Sequence, residues 1–207
     1  MPAPPLKLMR PLAGQTFVSG DTVAIAWQTT AAFTSSVYVD VSTDNGKNWF
    51  RITAGGFAAA DSCNWVIGKE IDRSKLYYPS DSVRITIRDS AGDYRDSTRG
   101  SLRVHALMLT KPVGGQTLHV GDTVFIAWRG DPMLISSIKV LVSTDNDKTE
   151  SLVAGTSFAA GDSCRWIVGH ENQPPSPAYP SDSVKIVVRD YDDLYSDRNV
   201  SCLKVVN

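Results

Sequence analysis

The sequence predicts an all-β protein built from two tandem β-sandwich domains, and three observations lead to that prediction. A unit of roughly a hundred residues occurs twice at a constant offset and without gaps, which sets the domain count. Its aligned pairs include Pro11 and Pro112, Trp27 and Trp128, Cys63 and Cys164, Trp65 and Trp166, and Asp89 and Asp190. Short runs in each copy alternate apolar and polar residues, and turn-forming residues separate these runs.

The alternating runs have the period of two that is typical of strands with one buried face. They cover 22–29, 36–42 and 82–89 in the first copy and 124–128, 138–142, 184–188 and 203–205 in the second. Shorter candidate strands at 6–9, 16–18, 49–53, 63–67 and 102–106 bring the number to seven or eight per copy, which predicts an immunoglobulin-like, or fibronectin III-like, sandwich. We expect the domains to span 1–105 and 106–207, with Trp27 and Trp128 anchoring the two cores.

Charge and hydropathy exclude several functional classes. The net charge is −1, the mean hydropathy is −0.14, and the halves carry 12 basic and 10 acidic residues against 9 and 12. A nucleic-acid-binding protein usually has a basic excess, so we expect no nucleic-acid partner. No apolar run approaches the ~20 residues that a membrane span needs, so we expect no membrane span in this fragment.

The N-terminal segment Met1-Pro2-Ala3-Pro4-Pro5 lacks the apolar stretch of a signal peptide. Its proline content is typical of a linker. We therefore expect a fragment of an extracellular or cell-surface protein from which the signal has been removed; a cytosolic protein is the alternative.

The cysteines give a weak indication of compartment. Cys63 and Cys164 share one repeat position, whereas Cys202 aligns with Ser101, so a disulfide common to both domains is impossible. Cys63 is expected to be a small buried apolar residue beside Trp65. A bridge between Cys164 and Cys202 stays open, and the redox state of both is undetermined by the sequence.

The segment from Ser42 to Trp49 matches the Asp-box pattern, Ser-x-Asp-x-Gly-x-x-Trp, which forms a β-hairpin turn in sialidases and other propellers. We expect Asp44 to accept hydrogen bonds from turn amides, Gly46 to adopt a positive φ, and Trp49 to pack over the hairpin. The second copy has Asp147 and Glu150 in place of the Gly and the Trp. The motif is structural, and propeller repeats would be shorter than these.

Three aromatic residues of the first copy, Tyr38, Trp49 and Phe50, are the candidate ligand-binding residues. Exposed aromatic surfaces often mark binding sites, and flat ones suit sugar rings. Their counterparts are Lys139, Glu150 and Ser151, so such a site belongs to one domain only. Packing across a hairpin is the alternative interpretation.

An acidic cluster, Asp89, Asp93 and Asp96, offers a second and weaker candidate, a calcium site. Calcium needs six to eight oxygen ligands. The spacing matches no known calcium loop, and a solvated loop with Asx-turns is the favoured interpretation. We therefore expect no metal and no cofactor.

A hydrolase finds little support in the sequence. Gly161-Asp162-Ser163-Cys164 superficially resembles the nucleophile region of serine proteases but lacks the glycines that follow the serine there. The three histidines, His105, His119 and His170, occupy positions that the two copies do not share. No arrangement of serine and histidine is therefore supported, and we expect a protein that is not an enzyme.

The opening pattern of the first copy, Pro11-x-x-Gly14-Gln15-Thr16 followed by Gly20-Asp21-Thr22-Val23-x-Ile25-x-Trp27, resembles secreted or surface bacterial immunoglobulin-like repeats. It is also similar to the domain of the yeast cell-wall-synthesis and Ser-Thr-rich GPI-anchored family. In that family a hairpin, a Trp strand (here 63–65) and an Ile-rich strand ending in Asp (83–89) follow. The resemblance implies surface display, wall association and no catalysis.

The sequence therefore predicts a non-catalytic tandem module of a secreted or cell-surface protein that acts as a spacer or adhesion unit. The alternative is a carbohydrate-binding module attached to a larger extracellular enzyme. The expected partner is a cell-wall or extracellular polysaccharide, or another surface protein.

The link between the copies predicts restricted interdomain motion. Val104 ends the last expected strand of the first copy and Leu107 begins the first strand of the second. So short a link limits the available orientations. Small-angle scattering of the chain should give a narrow distribution of interdomain distances, and a broad distribution would contradict this expectation.

Overall fold

The computed structural model describes residues 5–31, 33–52, 55–58, 62–70, 78–171 and 177–207. The chain forms two compact units, Met1–His105 and Ala106–Asn207, called repeat 1 and repeat 2 below. Each unit has nine strands in the described residues, and none of those residues belongs to a helix. The predicted all-β class is therefore confirmed. The same residues contain no helix long and apolar enough to cross a membrane.

Repeat 1 consists of a three-stranded sheet facing a six-stranded one. Its strands are β1 (Leu6–Arg10), β2 (Thr16–Val18), β3 (Thr22–Thr29), β4 (Val37–Ser42), β5 (Phe50–Arg51), β6 (Ser62–Val66), β7 (Ser80–Asp89), β8 (Arg95–Ser97) and β9 (Leu102–His105). The order in the first sheet is β1-β3-β6, and in the second it is β2-β9-β7-β4-β5, with β8 also paired to β7. All neighbours are antiparallel except β2 and β9, which are parallel.

Repeat 2 repeats this topology strand for strand. Its strands are β10 (Leu107–Lys111), β11 (Thr117–His119), β12 (Thr123–Gly130), β13 (Ile138–Ser143), β14 (Ser151–Phe158), β15 (Ser163–Ile167), β16 (Ser181–Asp190), β17 (Ser196–Arg198) and β18 (Leu203–Val206). The sheet orders are β10-β12-β15 and β11-β18-β16-β13-β14, with β17 also paired to β16.

The core of each repeat lies between its two sheets, because alternate residues of facing strands point inward. In repeat 1, Val23, Ile25 and Trp27 of β3 are buried together with Val39 of β4 and Ile85 of β7. The equivalent residues of repeat 2 form a second core. The predicted anchoring tryptophans are confirmed, since Trp27 and Trp128 are 5% and 2% exposed.

The number of strands differs from the expected seven to eight. The additional strand is β8, Arg95–Ser97, which pairs with residues 86–88 near the end of β7. The strand β9 pairs with residues 80–83 near the start of β7. The three polar residues of β8 carry no apolar alternation, so the sequence pattern indicates a loop there. At the link, β9 continues to His105, so Ala106 alone separates the last strand of repeat 1 from the first of repeat 2.

Adjacent residues of β12 provide a direct test of the inward and outward alternation. Ile126 is fully buried, whereas Phe125 is 49% exposed on the outer face. Ile126→Ala should lower the free energy of unfolding of repeat 2 by about 2–5 kcal/mol, because it leaves a cavity in a packed core. Phe125→Ala should change it by roughly 0.5 kcal/mol or less. Denaturant unfolding measures both, and similar losses for the two variants would contradict the register.

Candidate functional site

The outer face of the six-stranded sheet in repeat 1 carries several arginine and aromatic side chains. Along β5, β4, β7 and β8 the register places Arg51 opposite Asp40, Tyr38 opposite Arg88, and Arg88 opposite Arg95. We call this surface the arginine face. Its larger side chains are Tyr38, Trp49, Arg51, Arg84, Arg88 and Arg95.

Asp40 holds two arginines at the centre of this face. Arg88 Nε donates to Asp40 Oδ2 at 2.7 Å, and Arg51 Nε lies 3.7 Å from Asp40 Oδ1. The same two arginines flank Tyr38, with guanidinium carbons 4.1 Å (Arg51) and 5.4 Å (Arg88) from the ring centroid. Such contacts favour a fixed ring, because the guanidinium charge attracts the π face. Tyr38 is half-buried, and the two arginines hold its ring in place.

Trp49 reaches the arginine face from the hairpin between β4 and β5. Its ring lies under Gly46, where an added Cβ would sit 3.3 Å from Trp49 Cζ2. Gly46 has a φ of 87°, so both its conformation and the tryptophan favour glycine at this position. On the other side, the Arg95 guanidinium carbon lies 6.0 Å from the centroid of the tryptophan ring. The indole is half-buried between the hairpin and this arginine.

The three predicted binding residues do not share one surface. Phe50 pairs with Val41 and packs against the core of repeat 1. Tyr38 and Trp49 lie on the opposite side of the sheet, with Arg51. Alternation along β5 accounts for this division, because residues 49 and 51 point one way and residue 50 the other. The candidate site therefore consists of Tyr38, Trp49 and the arginines, without Phe50.

The expected Asp-box hairpin is confirmed. Asp44 Oδ1 accepts from the amide of Asn48 at 2.9 Å and from the Ser42 hydroxyl at 2.7 Å, and Asp44 Oδ2 accepts from Asn48 Nδ2 at 2.6 Å. Gly46 N–H donates to Ser42 Oγ. These hydrogen bonds, above all the one from the Asn48 amide, lower the pKa of Asp44 to about 2.

Repeat 2 has the same turn, but the residues around it differ from those of repeat 1. Asp145 accepts from the amide and the hydroxyl of Thr149, and its pKa is likewise lowered to about 2, first by the Thr149 amide. Asp147 occupies the glycine position with a φ of 68°. Glu150 replaces the tryptophan, so no ring lies against a side chain at position 147. The pair Gly46 and Trp49 thus corresponds to the pair Asp147 and Glu150.

Two of the three residues in the acidic cluster accept hydrogen bonds from backbone amides of repeat 1. Asp89 Oδ1 accepts from the Tyr94 amide at 2.9 Å. Asp96, which the sequence places in a loop, lies in β8 and accepts from the amides of Leu8 and Ser97. Asp93 is exposed. Among the described residues, no group of three or more His, Cys, Asp or Glu side chains could hold a metal ion.

None of the three cysteines forms a disulfide in this structure, and Cys63 is buried as expected. Burial, followed by the nearby charge of Asp162, raises the pKa of Cys164 to about 11. Its thiolate, the form that reacts and binds metals, is therefore scarce at neutral pH. His105 Nε2 lies 3.9 Å from Asp81 Oδ1, and His119 Nδ1 lies 3.7 Å from Asp122 Oδ2.

A carboxylate that the sequence analysis missed recurs in both repeats, buried as Glu70 in repeat 1 and half-buried as Glu171 in repeat 2. Glu70 Oε1 accepts from Trp65 Nε1 at 2.8 Å, from the Gly68 amide at 3.0 Å and from the Tyr78 hydroxyl at 3.0 Å. Its Oε2 is buried without a hydrogen-bond partner among the described residues. Burial, and then the charge of Glu70, raises the pKa of Tyr78.

Glu171 makes the same three hydrogen bonds in repeat 2. Its Oε1 accepts from Trp166 Nε1, from the Gly169 amide and from the Tyr179 hydroxyl, the last at 2.7 Å. The sequence does hold a signal for this network. An acidic residue stands five positions after a shared tryptophan and eight before a shared tyrosine in each copy.

Comparisons with known proteins give a fold-level likeness. No protein-family profile matches the chain, and no curated protein matches it. Among solved structures, the fibronectin(III)-like modules of Clostridium thermocellum CbhA are 17% identical, with 97% of this chain and 93% of that chain covered and a TM-score of 0.28.

Two further similar structures come from other proteins. A chimeric titin Z1Z2 is 16% identical over 100% of both chains, with a TM-score of 0.32. The N-terminal four Ig domains of Dscam1 are 12% identical over 92% of this chain and 42% of that chain, with a TM-score of 0.31. At such low identities and scores these likenesses indicate nothing about function.

The two Asp-box carboxylates predict a loss of stability in acid. Their pKa values are depressed from 3.8 to about 2, so their contribution is complete above 3.8 and disappears as the pH falls through 2. At pH 3 the aspartate of each Asp box should bind about 0.8 of a proton when the chain unfolds. Asp44→Asn should flatten the pH dependence of Tm between pH 4 and 2. Asp93→Asn controls for the lost charge, and equal effects of the two variants would contradict the assignment.

Proposed function

We propose that the chain is a non-catalytic tandem module of a secreted or cell-surface protein and acts as a spacer or adhesion unit. The supporting observation is that three pairs of acidic side chains shared by the two repeats serve the fold. The pairs Glu70 and Glu171, Asp44 and Asp145, and Asp96 and Asp197 each accept hydrogen bonds from their own repeat. Carboxylates held in this way are poorly placed to exchange protons with a substrate.

Surface display is part of this proposal. It draws on the resemblance of the opening pattern to secreted bacterial immunoglobulin-like repeats and to the yeast cell-wall family. Two sandwich domains in tandem suit a spacer, because each repeat buries its own apolar core.

Carbohydrate binding is the second candidate function, and the arginine face favours it. Tyr38 and Trp49 place two aromatic rings on one outer surface of repeat 1. Repeat 2 has Lys139 and Glu150 at these positions. An aromatic surface confined to one copy is better explained by recognition than by a requirement of the shared fold.

A glycan array with pull-down on insoluble polysaccharides tests adhesion to carbohydrate. We expect saturable retention of the wild-type chain and a decrease of about tenfold in affinity for Trp49→Ala, because aromatic anchors dominate such interfaces. Phe125→Ala, which removes an exposed aromatic ring from repeat 2, should bind normally.

Thermal unfolding of each variant establishes that it is folded. Retention that survives Trp49→Ala would contradict a site on the arginine face. If no polysaccharide retains the chain, carbohydrate binding is wrong, and adhesion would require a protein partner.

A further inference from the structure

The arginine face carries an excess of positive charge. Among the described strand residues that lie on that face, Arg51, Arg84, Arg88 and Arg95 accompany one carboxylate, Asp40, and the loop between β7 and β8 adds the exposed Asp93. Asp40 is only 5% exposed and is engaged by Arg51 and Arg88 together. In the adjacent hairpin, Asp44 is balanced by the neighbouring Lys47. Two guanidinium groups sharing one buried carboxylate leave positive charge directed at solvent.

Three cations on the corresponding face of repeat 2 are paired with carboxylates, whereas Lys185, which corresponds to Arg84, donates to two backbone carbonyls. Lys139 Nζ lies 2.7 Å from Asp193 Oδ1, Arg189 Nη2 lies 2.6 Å from Glu150 Oε1, and Arg198 Nη1 lies 2.6 Å from Asp147 Oδ2. Each cation of these pairs therefore has its own carboxylate. The shared fold does not demand a basic face, since repeat 2 forms the same sheet without one.

The carboxylates that neutralise repeat 2 are the residues that repeat 1 lacks. Glu150 corresponds to Trp49, Asp147 to Gly46, and Asp193 to Gly92. Repeat 1 thus has an aromatic ring or a glycine at each place where repeat 2 has an acid. It also has Arg51 and Arg95 where repeat 2 has Leu152 and Ser196. Both differences raise the positive charge of the same surface.

We infer that the arginine face of repeat 1 binds an acidic polysaccharide, a polymer that carries carboxylate groups on its sugar rings. This inference rests on the proposed adhesion function and specifies its ligand. Guanidinium groups recognise carboxylates with paired hydrogen bonds. Tyr38 and Trp49, interleaved with the arginines, supply aromatic surface for the apolar sides of the rings.

The geometry favours a polysaccharide over an acidic peptide. Extended peptides usually bind a sheet at its edge, where unpaired backbone groups are available. The centre of the arginine face is the flat side of β4 and β7, and each of these strands is paired with neighbours on both sides. Recognition there depends on side chains, and a polymer with regularly repeated carboxylates and rings matches side chains repeated across neighbouring strands.

Binding to polygalacturonate, compared with the same polymer after reduction of its carboxyl groups to alcohols, tests the inference. The wild-type chain should bind the acidic polymer saturably, and should bind the reduced polymer at least about tenfold more weakly. Added salt should weaken the binding, because exposed charges are screened. The amide and indole signals of Trp49 should shift in an NMR titration of the wild-type chain.

Matched variants locate the site. Arg51→Gln and Arg95→Gln should each weaken binding to polygalacturonate about tenfold. Arg198→Gln should leave it unchanged, although Arg198 and Arg51 have the same side-chain exposure, 39%. All three variants should keep the Tm of the wild type.

Several results would overturn the inference. Equal binding of the acidic and the reduced polymer would mean recognition of neutral sugar, so the inference would fail while the adhesion proposal stands. An equal loss in Arg198→Gln, or unshifted Trp49 signals, would place the site elsewhere. Tighter binding of a DNA strand of equal charge would indicate a general polyanion surface. If the chain binds neither polymer, an acidic polysaccharide is excluded as the ligand. If the chain also attaches to no surface of any kind, the adhesion proposal is wrong as well.

Discussion

A carboxylate beside a tryptophan, buried in repeat 1 and half-buried in repeat 2, joins the two sheets of each repeat. In repeat 1, Glu70 accepts from Trp65 at the end of β6 and from Tyr78 just before β7, and these strands belong to different sheets. A buried indole N–H, an amide and a hydroxyl all depend on this single oxygen. Each would cost about 1–3 kcal/mol if it lost its acceptor. The network therefore fixes the position of β7 relative to β6, and β7 is the central strand of the arginine face.

The comparison of the two repeats separates the residues that maintain the fold from those that distinguish the surfaces. Shared residues such as Glu70 and Glu171 satisfy buried polar groups, or pack in the cores, in both copies. Unshared residues such as Tyr38, Trp49 and Arg51 lie on one outer face of one copy. Because both copies fold in the same way, the unshared residues are not required for folding. Their concentration on one surface is the physical basis of the proposed binding function.

Much of the fold follows from the sequence pattern. Alternating runs and the repeat predict the long strands, the tryptophan anchors and the Asp-box turn, because strand burial has a period of two and turn chemistry is local. The short strand β8 could not be predicted in this way, since pairing with β7 rather than apolar alternation stabilises it. Glu70 was missed for a related reason. Its spacing from Trp65 and Tyr78 recurs in both copies, but the three donors converge on one oxygen only in the folded chain.

The candidate site was predicted in part. Tyr38 and Trp49 are outward as a binding surface requires, whereas Phe50 follows the alternation of β5 into the core. The arginines that complete the site come from β5 and from the consecutive strands β7 and β8, which are distant from β5 in sequence. Only the register of those strands brings Arg51, Arg88 and Arg95 to one face.

The dependence of the fold on the buried carboxylate is tested most directly by the free energy of unfolding of Glu70→Ala, measured beside Lys69→Ala. Glu70 is 5% exposed, whereas its neighbour Lys69 is exposed. Glu70→Ala should destabilise repeat 1 by about 3 kcal/mol or more, because three donors lose their acceptor. Lys69→Ala should change stability by about 0.5 kcal/mol or less. If the two variants unfolded at the same denaturant concentration, the network could not be what joins the sheets.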